Sequence, residues 1–272
     1  MPAKHVSARR KNLHILAGIV AEGTVITDTR KQKFFVEREF ARGGFGRIYS
    51  AHQINGHKYS KKESLVIKVE PCANGPLFTE ITVFQRILKM EMLQEWIQKK
   101  KLDHLGLPPF ISSGIFEHNK ESLRFLIMPK YGESLESFRK RSGGKLEKKL
   151  ALKIAIQCAN CLSYMQEQNY VHSDIKADNI LCGSSKNFAN CVLVDFGLAK
   201  MAKNNIDKPD KKKAHNGTLL FTSIDAHRGC DPSFRADLEI LLYNLMYWIT
   251  GSLPWTDSLH SSDEVLFNVF FF

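Results

Sequence analysis

Acidic, amide and basic side chains cluster in residues 170–181, whose sequence is YVHSDIKADNIL. Asp174 could accept a hydrogen bond from a substrate hydroxyl and orient it, and Lys176 could neutralise charge on a moving phosphoryl group. Asn179, and Asp195 in the later sequence DFG, carry the oxygen atoms that Mg2+ prefers as ligands. Phosphoryl transfer requires such positioning and charge neutralisation more than covalent help from the protein. We therefore predict that Asp174 and Lys176 are catalytic and that Asn179 and Asp195 bind metal.

A glycine cluster with the sequence RGGFG lies upstream, at residues 42–46. Glycines beside a strand let backbone N–H groups approach a phosphate closely, although many such clusters are plain turns. A dinucleotide-binding fingerprint would require a helix next, whereas strand-like residues 47–50 follow here. We therefore predict a hairpin that covers the phosphates of ATP. The residues assigned to this part of the ATP site are Ala41, Arg42, Gly43, Gly44, Phe45, Gly46 and Ile48.

A lysine on an apolar strand, Lys68, follows the glycine cluster, and Glu80 lies in the next helical pattern. A lone lysine on such a strand usually extends to solvent. In protein kinases, however, this lysine binds the α- and β-phosphates and pairs with a glutamate on the next helix. The whole order of motifs, ending in D-x-x-x-x-N and DFG, is that of a protein kinase. Lys176, two residues after Asp174, favours serine or threonine as the acceptor.

The elements that must position these residues change in type near residue 130. Strand-like runs dominate residues 33–129, with two helical patterns between them, and helices prevail from residue 135 onward. This pattern predicts an α+β fold of two lobes with a cleft between them. We expect a basic N-terminal arm at 1–32, a small lobe at 33–130, a large lobe at 131–260 and an atypical hydrophobic tail at 261–272.

The formal net charge of the 272-residue chain is +11, which describes its partners rather than its fold. Such a surface attracts nucleic acid, anionic membranes, acidic proteins or phosphates. The basic residues before residue 12 weakly resemble a targeting peptide, but a basic arm on a cytosolic or nuclear protein is favoured. The apolar residues 265–272 are too few to span a bilayer, so we expect no membrane association.

Six cysteines are too sparse for a disulfide scaffold in a chain of this length. Cys158 and Cys161 have the C-x-x-C spacing of zinc ligands or of a redox pair. The sequence contains no second C-x-x-C, and the pair lies within an apolar helical pattern. Two buried structural thiols are therefore the favoured interpretation.

Further stretches of the sequence resemble the vaccinia-related kinases, a branch near the casein kinase one group. These stretches are residues 68–71 with 74–78, 215–218, 221–227, and 235–240 with 253–255. The resemblance covers residues 23–257 and implies a bilobal kinase fold that uses Mg-ATP. It also implies serine/threonine substrates among small basic chromatin-associated proteins, nuclear residence and a role in chromatin or the cell cycle.

The same resemblance assigns roles to residues between and beyond the catalytic motifs. It implies that Met128 is the gatekeeper and that Pro129, Lys130 and Tyr131 form the hinge that binds adenine. It also implies that Asp237, on a central helix, anchors the catalytic loop.

Three departures from the family pattern affect these expectations. Ala41 replaces the first glycine, and we expect its methyl group to restrict φ and crowd the hairpin. Ser173 replaces the arginine before the catalytic aspartate, so activity should not depend on phosphorylation of the following loop. The chain ends where a kinase continues with further helices, and residues 265–272 resemble an alternative ending. We therefore expect a large lobe without its last helices and apolar side chains near Ile249 and Trp255 that meet water.

Three functions remain open on the sequence alone. The favoured one is an active, monomeric serine/threonine protein kinase, nuclear or cytoplasmic. The second is a kinase-fold scaffold with little catalysis, and the third is a chromatin or nucleic-acid binding module. Lysine runs at 99–101, 145–149 and 211–213 are scattered and lack interleaved aromatic residues, which disfavours base stacking. The run within the loop at 200–216 could still attract acidic partners, such as a nucleosome surface.

Overall fold

The computed structural model of the chain describes residues 15–43, 46–55, 58–59, 64–183, 188–202, 208–215 and 217–271. Gly44 and Phe45 of the predicted glycine hairpin lie outside these ranges, as does the predicted basic arm before residue 15. Residues 203–207 and Asn216 of the lysine-rich loop lie outside them as well.

An antiparallel sheet dominates the first half of the chain. Its strands are β1 (Val25–Thr27), β2 (Lys33–Arg42), β3 (Arg47–Asn55), β4 (Lys58–Tyr59), β5 (Leu65–Pro71), β6 (Ser112–His118) and β7 (Glu121–Pro129). The spatial order is β1-β2-β3-β5-β7-β6, and β4 pairs with β3. Two helices, α1 (Pro76–Ile87) and α2 (Met90–Lys100), lie between β5 and β6 in the chain. The strand-rich first half predicted from the sequence is confirmed.

Side chains on the central strands of this sheet alternate between two faces, as strand geometry requires. On β5, Ile67 belongs to one core, which also contains Phe34 and Phe125. Its neighbour Val66 belongs to a larger core, which includes the buried face of α1 and continues into the second half of the chain. Lys68 shares the face of Val66 and therefore points toward α1.

The segment before β2 packs against the sheet. β1 pairs with β2 through Val25 and Phe35, and the side chains of Ala17, Val20 and Ile26 are buried in the core on the face opposite α1. The boundary expected at residue 32 therefore does not mark a change in packing. The apolar run at residues 15–21 follows several basic residues, which is why the sequence favoured an arm.

Helices dominate the second half. They are α3 (Leu135–Arg141), α4 (Lys148–Glu167), α5 (Ile224–His227), α6 (Phe234–Thr250) and α7 (Ser262–Phe270). Four short strands, β8 (Tyr170–Val171), β9 (Ile180–Cys182), β10 (Cys191–Leu193) and β11 (Lys200–Met201), form two antiparallel pairs, β9 with β10 and β8 with β11. The helical second half confirms the α+β prediction. No helix of the described ranges is long and apolar enough to cross a membrane.

Cys158 and Cys161 face the core from α4. A hydrogen bond with Cys191, together with burial, raises the pKa of the Cys158 thiol well above its usual range. Burial likewise raises the pKa of Cys161, whose Sγ donates to the carbonyl oxygen of Gly106 at 3.2 Å. These surroundings disfavour the thiolate that zinc binding or redox exchange requires. The environment of both residues is that of buried structural thiols.

The expectation that Trp255 meets water is wrong. Its side chain is fully buried, it packs edge-on against Tyr243 with ring centroids 5.0 Å apart, and its Nε1 donates to the carbonyl oxygen of Leu220 at 2.8 Å. These contacts with Tyr243 of α6 and with Leu220 cover the indole. The helix α7, which the sequence did not predict, adds to the same core. The Ser261 hydroxyl caps this helix by accepting from Glu264 N, and Val265 turns into the same core.

Apolar side chains do meet water elsewhere in the second half. Leu238 and Leu242, on the outer face of α6, are each more than half exposed. The end of α7 and the residue after it expose Phe267, Phe270 and Phe271. Other exposed apolar side chains of this half include Leu152 and Ile156 on α4, whereas Ile249 packs partly buried against the core.

Candidate active site

Lys68 on β5 meets a carboxylate from each half of the chain. Its Nζ donates to Glu80 Oε2 on α1 at 2.7 Å and to Asp195 Oδ1 at 3.2 Å. Burial opposes the charge of the lysine, but the attraction of Glu80 and Asp195 outweighs it, so the pKa of Lys68 is raised. The neighbouring Lys68 ammonium lowers the pKa of Asp195. These three residues are brought together from three separate elements.

Phe196 fixes the position of its neighbour Asp195. The ring of Phe196 is fully buried, packs edge-on against Phe84 of α1 at a centroid distance of 5.6 Å, and lies 5.1 Å from the ring of His172. Asp195 itself has a φ of 66°, a left-handed conformation that costs energy in residues other than glycine. The buried phenylalanine therefore helps hold the carboxylate in a strained position facing Lys68.

Asp174 is surrounded by hydrogen-bond donors from its own loop at residues 172–179, which we name the catalytic loop, and from Thr218. Its Oδ2 accepts from Lys176 Nζ at 2.7 Å and from Asn179 Nδ2 at 3.2 Å, and its Oδ1 accepts from the Thr218 hydroxyl at 2.8 Å. Asn179 Nδ2 also donates to the backbone carbonyl of Asp174 at 2.9 Å. The loop thus fixes the orientation of Asp174, and it presents Lys176 beside it.

The catalytic loop is anchored from the central helix α6. Asp237, which is fully buried, accepts from the backbone N–H of His172 at 2.7 Å and from that of Ser173 at 2.8 Å. Ser173 has a φ of 67°, so its backbone is held in the left-handed region by this carboxylate. Burial raises the pKa of Asp237 to about 6, and the two N–H donors oppose that rise. The geometry agrees with the anchoring role that the family resemblance implied.

Near the glycine cluster, β2 and β3 form the predicted hairpin. Gly43 N donates to Gly46 O at 2.9 Å, and a Cβ at Gly46 would approach Val69 O to 2.6 Å, so only glycine fits there. Ala41 pairs with Ile48 within the ladder and has negative φ, which any L-residue adopts without strain. It lies beside a register shift of the ladder, between Glu39 and Ala41. That its methyl group crowds the hairpin stays a prediction, because Gly44 and Phe45 lie outside the described residues.

The predicted hinge continues the β7 strand beyond its pairing with β6. Met128 is buried and pairs with Val66 of β5, and Lys130 N donates to Ser64 O, just before β5, at 2.8 Å. Backbone groups of successive strand residues point to opposite sides. The Pro129 carbonyl therefore faces away from β5, on an edge that β6 does not cover, because the β6–β7 pairing begins at Ser112 and Ile127. This edge suits the hydrogen bonds that an adenine ring requires.

The side chains at the predicted metal position suit magnesium. Asp195 supplies a carboxylate oxygen, and the neighbouring Lys68 lowers its pKa. The amide nitrogen of Asn179 is bonded to Asp174, which leaves its side-chain oxygen as the atom for a metal. Both are hard oxygen donors, the chemistry that Mg2+ prefers.

Sequence reasoning missed two side chains that complete this site. Thr218 carries the hydroxyl that joins Asp174 and Lys176, since Lys176 Nζ also donates to it at 3.1 Å. Glu70, fully buried, accepts from the backbone N–H of Leu77 at 3.1 Å and so holds the start of α1. Both residues lie in stretches that carry the family resemblance, and this was the only sequence signal that could have found them.

The stretch from residue 195 to residue 227, which we name the activation segment, carries Thr218 and is tied to the helical half by Asp225. Asp225, on α5, accepts from the Arg235 guanidinium at 2.7 and 2.8 Å and from the Ser233 hydroxyl at 2.9 Å. The bond with Arg235 is the main cause of a lowered pKa at Asp225. This ion pair fixes the end of the segment against α6.

Comparison with known protein families and structures agrees with this geometry. Residues 34–238 match the model of the protein tyrosine and serine/threonine kinase family. The solved structure titled "Structure of vaccinia related kinase 3" superposes with a TM-score of 0.84, at 27% sequence identity, over 94% of this chain and 76% of that one.

Curated relatives give the same result. The chain is 48% identical to the serine/threonine-protein kinase VRK1 of Caenorhabditis elegans, over 98% of this chain and 43% of the relative. It is 42% identical to nucleosomal histone kinase 1 of Drosophila melanogaster, over 93% and 42% of the two chains. It is 37% identical to the B1 kinase of Vaccinia virus, strain Ankara, over 86% and 76%. The chain thus spans less than half the length of the two animal relatives, but it belongs to the protein kinase family and, within it, to the vaccinia-related kinases.

Proposed function

We propose that the chain is a serine/threonine protein kinase, which transfers the γ-phosphoryl group of Mg-ATP to a hydroxyl group of a protein. The observation that carries this proposal is the convergence of Lys68, Glu80 and Asp195, with the lysine nitrogen 2.7 and 3.2 Å from the two carboxylates. Phosphoryl transfer in kinases requires this lysine–glutamate pair and the metal-binding aspartate to be in place together.

Each residue of the site then has a role. Lys68 binds the α- and β-phosphates, while Glu80 holds the lysine. Asn179 and Asp195 hold the magnesium ions, which supply charge neutralisation at the phosphates. The backbone of Pro129 and Tyr131 receives the adenine, and residues 41–43 and 46 with Ile48 cover the phosphates.

Asp174 and Lys176 complete the reaction at the acceptor. Asp174 accepts a hydrogen bond from the substrate hydroxyl and orients it toward the γ-phosphorus, and Lys176 neutralises charge on the group in transfer. Lys176 Nζ lies 2.7 Å from Asp174 Oδ2, and a lysine two residues after this aspartate favours a serine or threonine acceptor. The hydroxyl of Thr218, which lies in the activation segment, is hydrogen-bonded to both Asp174 and Lys176.

The substrates and location are a finer part of the proposal. A Drosophila relative is named a nucleosomal histone kinase. We propose basic chromatin-associated substrates and a nuclear location on that likeness. Lys211 and Lys212 are exposed, and Lys213 lies 3.6 Å from Asp231, so the first two are better placed to attract an acidic partner such as nucleosomal DNA.

The test is an assay with radiolabelled ATP, magnesium and histone or casein as acceptor. Asp174→Asn is the matched control, because the amide keeps the size of the carboxylate but cannot accept the hydroxyl proton. Incorporation of label on serine or threonine that the control loses supports the proposal. A chain that binds Mg-ATP but transfers no label would instead be a kinase-fold scaffold.

A further inference from the structure

An extended segment at residues 15–20 crosses the sheet on the face opposite α1, and we name it the N-terminal strap. The side chains of Ala17 and Val20 are buried in the core of that face, whereas those of Ile15 and Ile19 are exposed. Val20 N donates to the Tyr49 hydroxyl at 3.0 Å, which fixes the end of the strap on β3. The strap is therefore a packed part of the sheet.

The strap contacts the base of the glycine hairpin through Arg47. This arginine directly follows Gly46, it is buried, and its Nε donates to Ala17 O at 2.7 Å. Its Nη1 donates a hydrogen bond to Glu39 Oε2 of β2 at 2.9 Å, and Arg42 Nε donates to the same carboxylate. The Arg42 and Arg47 side chains lower the pKa of Glu39, so the carboxylate stays charged. One guanidinium therefore joins the strap to both strands of the hairpin.

The strap also contacts the start of α1. Asn74, which is buried, donates from Nδ2 to Ile15 O at 2.9 Å. It lies two residues before Pro76, the first residue of the helix that carries Glu80. The strap therefore bonds to the glycine hairpin through Ala17 O and to the start of α1 through Ile15 O. These two elements must face each other across the phosphates.

We propose that the N-terminal strap holds the glycine hairpin and α1 in one relative position, and that Arg47 and Asn74 are its positioning residues. The catalytic meaning of this inference rests on the proposed kinase function. Hairpin and helix are joined in sequence only through β3, β5 and their loops, so a second connection restricts how far they move apart. The affinity for nucleotide depends on the relative position of the hairpin and α1, and it therefore depends on the strap.

The experiment compares Ala17→Asp with Ile19→Asp in the full chain. Aspartate at 17 would bury an unpaired charge, so the strap should leave the sheet, whereas aspartate at 19 points to solvent. We expect Ala17→Asp to raise the KM for ATP about tenfold with little change in kcat, since a charge-assisted hydrogen bond is lost. Ile19→Asp should match the unsubstituted chain. If Ala17→Asp instead lowers kcat at an unchanged KM, the strap serves only folding and the proposal fails.

A second measurement tests whether the strap acts through Arg47. Arg47→Lys keeps the charge but loses the planar guanidinium whose separate nitrogens reach Ala17 O and Glu39. Its effect and that of Ala17→Asp should therefore be less than additive. Fully additive effects would show that the strap does not act through Arg47.

Amide hydrogen exchange decides the inference without catalysis. In Ala17→Asp, amides of β2, β3 and the first turn of α1 should exchange faster, while those of α6 stay unchanged. Exchange at the unsubstituted rates would overturn the proposal. Should the unsubstituted chain transfer no phosphate at all, the proposed function fails, and the exchange result still decides the role of the strap.

Discussion

The hydroxyl of Thr218 donates to Asp174 Oδ1 at 2.8 Å, and it joins two residues that are 44 positions apart in the chain. The same hydroxyl accepts from Lys176 Nζ at 3.1 Å. The activation segment is thereby bonded to both side chains proposed to act on the acceptor. Its conformation and the orientation of Asp174 are coupled through one oxygen atom.

Replacement of Thr218 tests this coupling. Thr218→Val keeps the shape and removes the hydroxyl, so we expect kcat to fall by about tenfold to a hundredfold, the loss expected for a hydrogen bond to a charged group. Thr218→Ser keeps the hydroxyl and should retain most of the rate. The measurement is kcat and the KM for ATP with a peptide acceptor. Equal rates for the valine and serine variants would contradict the role.

The Lys68–Glu80 pair should behave as one unit. Lys68→Met leaves Glu80 almost wholly buried without its partner, and Glu80→Gln leaves the lysine without its main anchor. Each variant should lose phosphoryl transfer by about a hundredfold or more, and the double variant should lose little beyond the worse single one. Single-turnover experiments measure the rate of phosphoryl transfer, and titration measures the binding of Mg-ATP. Losses that multiply would mean that the two side chains act separately.

Activity should not require phosphorylation of the activation segment. Ser173 stands before Asp174 and has no positive charge, and its backbone N–H is already bonded to Asp237 at 2.8 Å. Without a cation at this position, a phosphate on the segment has no partner there. We expect equal turnover before and after phosphatase treatment, measured with one peptide acceptor. A treated enzyme that loses most of its rate would contradict this prediction.

Much of the site could be predicted because its residues recur at fixed spacing within short motifs. Asp174, Lys176 and Asn179 are separated by a few positions on one loop, and the loop itself sets their geometry. Contacts between distant segments could not be predicted this way. Arg47 and Ala17 are 30 positions apart, and neither residue type signals the other.

The other differences between sequence and structure have local causes. Ala41 replaces a glycine, but the strand pairing gives it an ordinary φ, so only the expected crowding stays a prediction. The helix α7 escaped prediction because an isolated run of phenylalanines gives no clear period. Its inward face consists of two valines, Val265 and Val269, four positions apart.

Stability should fall in mild acid because of the buried His227, which lies against the partly exposed His215. The Nδ1 atoms of His215 and His227 lie 2.9 Å apart, and Asp263 Oδ1 is 3.8 Å from His215 Nε2. Burial, and then His215, lower the pKa of His227 to about 4 from its usual 6.5. The unfolded chain therefore binds a proton that the folded chain does not between pH 6.5 and 4. The contribution of His227 to the free energy of unfolding therefore falls as the pH drops through that window.

The measurement is urea unfolding at pH 7 and at pH 4.5, with and without His227→Gln. The variant should show a smaller loss of unfolding free energy between the two pH values. The pKa of Asp237, raised to about 6, acts in the opposite direction, but it is present in both proteins and cancels in the comparison. The matched control is His260→Gln, which replaces an exposed histidine on the same half of the chain. An equal loss in His227→Gln and in the unsubstituted chain would contradict the assignment.

The last prediction concerns α7 and the buried tryptophan beneath the end of the chain. Val265 is fully buried in the core that contains Trp255, whereas Phe267, two residues later on the same helix, is 63% exposed. Val265→Ala removes buried methyl groups and leaves a cavity, so it should lower the free energy of unfolding by about 2 kcal/mol. Phe267→Ala removes a larger side chain that is mostly exposed to solvent, so it should change the free energy of unfolding by less than about 0.5 kcal/mol. Chemical denaturation followed by tryptophan fluorescence measures both values, since Trp255 leaves the core on unfolding. If the phenylalanine variant proved the less stable of the two, α7 would not pack as described, and Trp255 would owe its burial to other contacts.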